Sequence, residues 1–63
     1  MTIYKLQKED IKKYYIVNRA GVFFFFDCLG IIQHSEIFTR EFELQEYITK
    51  EVDNGFSLEV VRL

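Results

Sequence analysis

The sequence predicts a small α+β domain, in which an antiparallel sheet carries one helix on one face, in the element order ββββαβ. Three observations predict this class. Residues 22–26 (Val-Phe-Phe-Phe-Phe) form an apolar run of strand length, two glycine-ended turns flank this run, and an apolar repeat with helical spacing follows it. With 63 residues and no proline or low-complexity linker, the chain is predicted to be a single domain, 1–63.

The phenylalanine run is predicted to be the central strand of a three-stranded meander. Residues 18–21 (Asn-Arg-Ala-Gly) and 27–30 (Asp-Cys-Leu-Gly) both place Asn or Asp first and Gly fourth. This pattern is typical of a type I turn whose last residue has a positive φ. The two turns therefore predict strands at about 13–18, 22–27 and 31–37.

The sequence predicts further strands at the edges of this meander. Residues 2–6 alternate as a short edge strand, and residues 7–10 are polar enough to connect it to the meander. Residues 56–60 (Phe-Ser-Leu-Glu-Val) alternate as a final strand.

A helix is predicted between the meander and the final strand. Thr39 is a candidate N-cap, and residues 53–55 (Asp-Asn-Gly) are a typical helix end. The predicted apolar stripe consists of Leu44, Tyr47, Ile48 and Val52.

The apolar content exceeds what one small core can bury. Hydrophobic residues make up 49% of the chain, and a chain this short buries only about 60% of the surface that its unfolded form exposes. One helix covers one face of a sheet, yet residues 14–17 and 22–26 are apolar on both faces. We therefore expect a homodimer or a larger protein partner on the second face. The interface candidates are Tyr14, Tyr15, Phe23, Phe24, Phe25, Phe26, Phe42 and Glu51.

Three of these assignments have open alternatives. Either Phe23 and Phe25 or Phe24 and Phe26 face the helix. Phe42 is either exposed among acidic residues as an interaction residue or packed on Phe38 at the helix start. Glu51 lies either at the rim of the helical stripe or against a cation across an interface.

No catalytic, metal-binding or cofactor-binding pattern is predicted, so the chain is not expected to be an enzyme. His34 has no recognisable nucleophile or second ligand, which favours an ordinary half-exposed histidine. Cys28 follows Asp27, and a neighbouring carboxylate raises a thiol pKa, which favours a structural or incidental thiol.

Charge is unevenly distributed, with five Lys and Arg against two acids in residues 1–20 and three against eight in residues 21–63. The basic N-terminal third predicts an alternative function as a nucleic-acid-binding module. The net charge of −2 disfavours it. The acidic helix could mimic phosphates, but a solvated outer face with a Glu46 to Lys50 pair is the favoured interpretation.

The setting of the protein is predicted from its single cysteine and its residue usage. One cysteine cannot form an internal disulfide, and no signal peptide or membrane-spanning run is recognisable, so a cytoplasmic location is expected. Residues with AT-rich codons outnumber those with GC-rich codons, which is typical of a low-GC bacterium or its phage. These features favour a small phage or mobile-element accessory protein, such as an inhibitor of a host factor.

Overall fold

A computed structural model describes residues 1–37 and 41–63, with the side chains of 1–32 and 42–63. It confirms the predicted α+β class and the order ββββαβ. The elements are β1 (Thr2–Lys8), β2 (Ile11–Asn18), β3 (Gly21–Cys28), β4 (Ile31–Ile37), α1 (Glu41–Asp53) and β5 (Ser57–Arg62).

The strands form one antiparallel sheet in the order β4-β3-β2-β1-β5. As predicted, the phenylalanine strand β3 lies between β2 and β4. The prediction that residues 2–6 form a short edge strand is wrong, because β1 continues to Lys8 and lies between β2 and β5. On its side away from β2, β1 has backbone N–H and C=O groups that need hydrogen-bond partners. The chain returns after α1, and β5 pairs with these groups.

The hairpin between β3 and β4 has a different turn from the one predicted. Cys28 pairs with Ile31, so the loop has two residues, Leu29 at φ 54° and Gly30 at φ 82°. Two positive φ values indicate a type I′ turn, whose twist matches that of the flanking strands better than type I. The Asp27 carboxylate still accepts a hydrogen bond from the Gly30 N–H at 3.1 Å.

The turn between β2 and β3 retains the predicted positive φ at its last residue, with Gly21 at 139°. Asn18 pairs with Gly21, and the Asn18 side-chain oxygen accepts a hydrogen bond from the Ala20 N–H at 2.7 Å. The asparagine therefore stabilises the turn through its side chain.

The core lies between α1 and one face of the sheet. Its fully or nearly fully buried members are Tyr4, Leu6, Tyr15, Val22, Leu44 and Ile48. Only part of the predicted helical stripe is buried, because Tyr47 is 55% exposed and Val52 is 42% exposed. A single helix packed on a sheet touches it along one line, so residues on the flanks of the stripe stay in water.

The end of α1 follows the prediction from residues 53–55. Gly55 has a φ of 96°, its N–H donates to the Val52 carbonyl at 3.0 Å, and the Phe56 N–H donates to the Glu51 carbonyl at 3.0 Å. This pair of bonds is a Schellman motif. The candidate N-cap Thr39 lies outside the described residues.

Residues 1–37 and 41–63 contain no helix of the length and apolar character needed to cross a membrane.

Candidate interaction surface

The sheet has one face covered by α1 and a second face on which the described residues place no helix. We call the second face the open face. Side chains of directly paired residues lie on the same side of a sheet, so the register defines its members. Its apolar residues are Ile3, Tyr14, Ile16, Phe23, Phe25, Ile32 and Val61. Its charged residues with described side chains are Lys5, Lys12, Asp27 and Glu59.

The structure decides which phenylalanines face the helix. Val22 is buried in the core, and Phe24, two residues on, packs against that core. The Phe24 ring lies 4.9 Å from the Tyr15 ring and 6.5 Å from the Phe26 ring, measured between centroids. Phe23 therefore points to the opposite side of the strand, away from α1.

The interface candidates divide between the two faces. Tyr14, Phe23 and Phe25 belong to the open face. Tyr15, Phe24 and Phe26 lie on the helix-covered side, so they are not part of the open face.

A hollow of about 380 Å³ lies on the open face. Its wall is mostly apolar and comes from the four strands β1 to β4. It is lined by Ile3, Lys5, Tyr14, Ile16, Phe25, Asp27 and Ile32. An apolar hollow of this size has room for a side chain from another molecule.

The open face is organised in rows that run across the strands. Ile3, Ile16 and Phe23 are directly paired in one row. Lys5, Tyr14 and Phe25 form the next row, and Gln7, Lys12 and Asp27 the third. The apolar centre therefore has a polar row along one side.

Charges on the open face occur as opposite neighbours. Lys5 is directly opposite Glu59, and Lys12 is directly opposite Asp27. Direct cross-strand neighbours lie about 5 Å apart at Cβ, so each charge is partly compensated within the sheet. These four side chains carry no net charge together.

Glu51 forms an ion pair within the chain. Its carboxylate accepts a hydrogen bond from the Lys13 ammonium at 3.1 Å, with both side chains about one-fifth exposed, at 20% and 21%. Lys13 also lies 4.8 Å from the centre of the Phe56 ring. The alternative in which Glu51 pairs across an interface is therefore not supported, since the cation comes from β2 of the same chain.

A second lysine contacts the chain at the same end of the helix. The Lys8 ammonium donates a hydrogen bond to the Asn54 carbonyl at 2.7 Å. A cation is favourable at the negative end of a helix dipole. Lys8 and Lys13 therefore hold the end of α1 to β1 and β2.

Tyr15 is the ionisable group most affected by this packing. Burial raises the pKa of its phenol above the ordinary value of 10.0, and the nearby Glu51 carboxylate and Tyr47 raise it further. The neutral phenol is therefore the form that the core favours.

Phe42 lies on α1, apart from the open face. It is 58% exposed, as in the first of its two alternatives, and no described contact assigns it an interaction role. The second alternative involves Phe38, which lies outside the described residues.

No set of three His, Cys, Asp or Glu side chains within the described residues is placed to hold a metal ion. Cys28 is half-buried at the end of β3. His34 pairs with Phe25 through the backbone of β4, and its side chain is outside the described part.

The basic residues of the N-terminal third do not form one platform. Lys8 and Lys13 contact the end of α1, whereas Lys5 and Lys12 lie on the open face beside acidic neighbours. This arrangement gives no support to the nucleic-acid alternative.

Four apolar and four charged residues of the open face were not among the sequence candidates: Ile3, Ile16, Ile32 and Val61, and Lys5, Lys12, Asp27 and Glu59. The alternation of residues 2–6 indicates that Ile3 and Lys5 face away from Tyr4 and Leu6. Assigning Ile3 and Lys5 to the open face also requires knowing that β1 pairs with β2, and only the tertiary structure shows this pairing.

Comparisons with protein-family models, with curated proteins and with solved structures found no match to this chain.

Proposed function

We propose that this chain is a non-catalytic interaction protein that acts through the open face of its sheet. A second copy of the chain or a larger protein would occupy that face. One observation carries the proposal: β3 supplies aromatic residues to both faces of the sheet, and the described residues provide a helix for only one of them.

The energetic argument compares the open face with the stability of the domain. Burial of apolar surface contributes about 25 cal/mol per Å², and fully burying one large apolar side chain contributes about 1.5–3 kcal/mol. Phe23, Phe25 and Ile16 are already half-buried within the chain, so covering their remaining exposed surface with a partner would contribute only a part of that value for each, on the order of 1–3 kcal/mol together. A domain of 63 residues has a total stability of only about 3–9 kcal/mol. Covering the open face is thus a large term for this protein.

The proposal extends to the setting of the protein. A chain of 63 residues with residues typical of AT-rich codons and no recognisable catalytic motif suits a small accessory protein of a phage or mobile element. Such a protein would act in the cytoplasm by binding itself or by inhibiting a host factor.

Photo-crosslinking in the native cells tests the role of the open face. A photoreactive phenylalanine analogue replaces Phe23 on the open face or, as the matched control, Phe42 on the outer side of α1. We expect a covalent adduct to a protein from position 23 and little or none from position 42. Absence of an adduct at position 23, or equal adducts at both positions, would contradict the proposal.

A further inference from the structure

We infer that the occupant of the open face is a second copy of this chain, related by a two-fold axis that runs roughly along β2. This inference rests on the proposed function, of which it names the partner. It is argued from the strand order, the row pattern and the charges of the open face.

With this axis, every strand of one copy lies against a strand of the other copy. In the order β4-β3-β2-β1-β5, β2 is the middle of five strands. A two-fold axis along the middle strand places β2 on the partner's β2, β1 on the partner's β3 and β5 on the partner's β4. No strand is then left without a counterpart, and the strands of the two sheets stay nearly aligned, as in sandwiches.

The area of the face suits a reversible dimer. Five strands spaced about 4.8 Å apart, with about 20 Å of each strand in the patch, give a face of roughly 500 Å². Two such faces bury roughly 1,000 Å² in total, near the lower limit for a specific interface. We therefore expect association at micromolar concentrations.

The same axis pairs compatible side chains, because rotation about a strand-parallel axis keeps each row on itself. Tyr14 meets the partner's Tyr14, and Ile16 meets the partner's Ile16. Ile3 meets the partner's Phe23. Lys5 meets the partner's Phe25, a cation and an aromatic face that attract each other.

The second way to align the two sheets uses a two-fold axis that runs across the strands, and it pairs incompatible side chains. If the two faces overlap fully, this axis places the polar row of one copy on the partner's row that contains Ile16. It would place Lys12 on the partner's Ile16 and Asp27 on the partner's Phe23. It would also place Lys5 on the partner's Lys5. Each axis places one lysine on its own copy, but only the axis across the strands also buries Lys12 and Asp27 against apolar side chains, so the strand-parallel axis is favoured.

Charge balance favours a second copy over a strongly charged partner. Lys5, Lys12, Asp27 and Glu59 carry no net charge together, and each has an opposite charge directly across the ladder. The axis along β2 places Lys12 on the partner's Lys12, and the repulsion between these two ammonium groups is offset by the Asp27 carboxylate directly opposite each Lys12 in its own sheet. A basic or acidic partner would find no net opposite charge among them.

Sedimentation equilibrium of the purified chain tests the dimer. We expect a mass of twice 7.6 kDa at tens of micromolar. Phe23→Ser should raise the dissociation constant more than about tenfold, because it removes an interface aromatic from both copies. The matched variant Phe42→Ser, on the outer side of α1, should leave the constant unchanged. A monomer at 100 micromolar (roughly tenfold above the expected range), or equal effects of the two variants, would overturn the inference.

Crosslinking with a short bismaleimide, about 10 Å long, tests the axis. In a Cys28→Ser background, Ile16→Cys places the Cα atoms of the two cysteines on facing strands about 10 Å apart, with both side chains directed into the interface. Phe25→Cys places the corresponding Cα atoms about 14 Å apart, since the two β3 strands are also offset sideways by two strand spacings. We expect efficient crosslinking at position 16 and weak crosslinking at position 25. The reverse order would overturn the proposed axis, and far-UV circular dichroism establishes that each variant is folded.

The two proposals fail in different ways. A monomeric purified chain that crosslinks in cells through position 23 to a larger protein overturns the second-copy inference and supports the proposed function. A monomeric chain with no adduct from position 23 in cells overturns both.

Discussion

Adjacent residues of the same type have opposite environments in this protein, because a strand turns successive side chains to opposite faces. Tyr14 lies on the open face, whereas Tyr15 is buried and contacts Phe24. Phe23 and Phe24 differ in the same way. A single residue of register thus separates a core position from a surface position.

Tyr15 makes stability sensitive to alkaline pH. Its pKa is raised in the folded state, mainly by burial and then by Glu51 and Tyr47. Below pH about 10 both states hold the proton, so this contribution is fully present. As pH rises past the unfolded pKa and through the folded one, the unfolded state releases its proton more readily and the free energy of unfolding falls.

Urea unfolding at pH 8 and at pH 11 measures this effect. We expect Tyr15→Phe to reduce the loss of stability between the two pH values, since Phe has no proton to release. The wild-type protein, measured at the same two pH values, is the reference for this loss. An undiminished loss in Tyr15→Phe would show that other groups cause it.

At the level of elements, three described contacts hold the C-terminal end of α1. The Schellman motif at Gly55, the Lys13 to Glu51 ion pair and the Lys8 bond to Asn54 all lie within its last turns or just beyond them. On the buried side, Leu44 and Ile48 supply the apolar contact. The helix is therefore fixed by a cap and a narrow stripe together.

Gly55→Ala tests the cap. The φ of 96° is unfavourable for a residue with a Cβ, whereas the nearest atom to that Cβ, Lys8 Cε at 3.6 Å, is at an ordinary contact distance. We expect the free energy of unfolding to fall by about 1 kcal/mol from backbone strain. Gly55→Asn should lose less, because Asn tolerates a positive φ better. Thermal and urea unfolding measure both, and an equal loss in the two variants would contradict the strain argument.

For the whole molecule, one small core on one side of the sheet carries the fold. Among the described side chains, six form its buried part, and the register leaves the open face with apolar residues from all five strands. Stability is consequently sensitive to any loss from that core.

Leu44→Ala measures this sensitivity. Leu44 is fully buried, at 0% exposure, and a Leu to Ala change in a core costs about 2–5 kcal/mol. That loss is comparable with the whole stability of a domain this size, about 3–9 kcal/mol, so we expect extensive unfolding by circular dichroism at 25 °C. Tyr47→Ala, on the exposed flank of the same helix, should cost about 1 kcal/mol or less. Similar losses in the two variants would contradict the narrow contact stripe.

The amino-acid sequence by itself predicted the α+β class, the element order, the central place of β3 in the meander and the glycine-ended helix. These features depend on local signals, namely apolar periodicity and residues that tolerate positive φ. The type I′ turn at Leu29 was not predicted, because Leu is an uncommon residue at a positive φ.

Only the tertiary structure decided the place of β1, the division of the phenylalanines between two faces and the role of Glu51. A strand that is apolar on both sides has no hydrophobic periodicity, so its sequence does not indicate which face is buried. The burial of Val22 and the contact of Phe24 with the buried Tyr15 identify that face. The partner of Glu51 lies 38 residues away in sequence, on β2. Such choices depend on which segments meet in space, and local preferences along the chain contain little information about that.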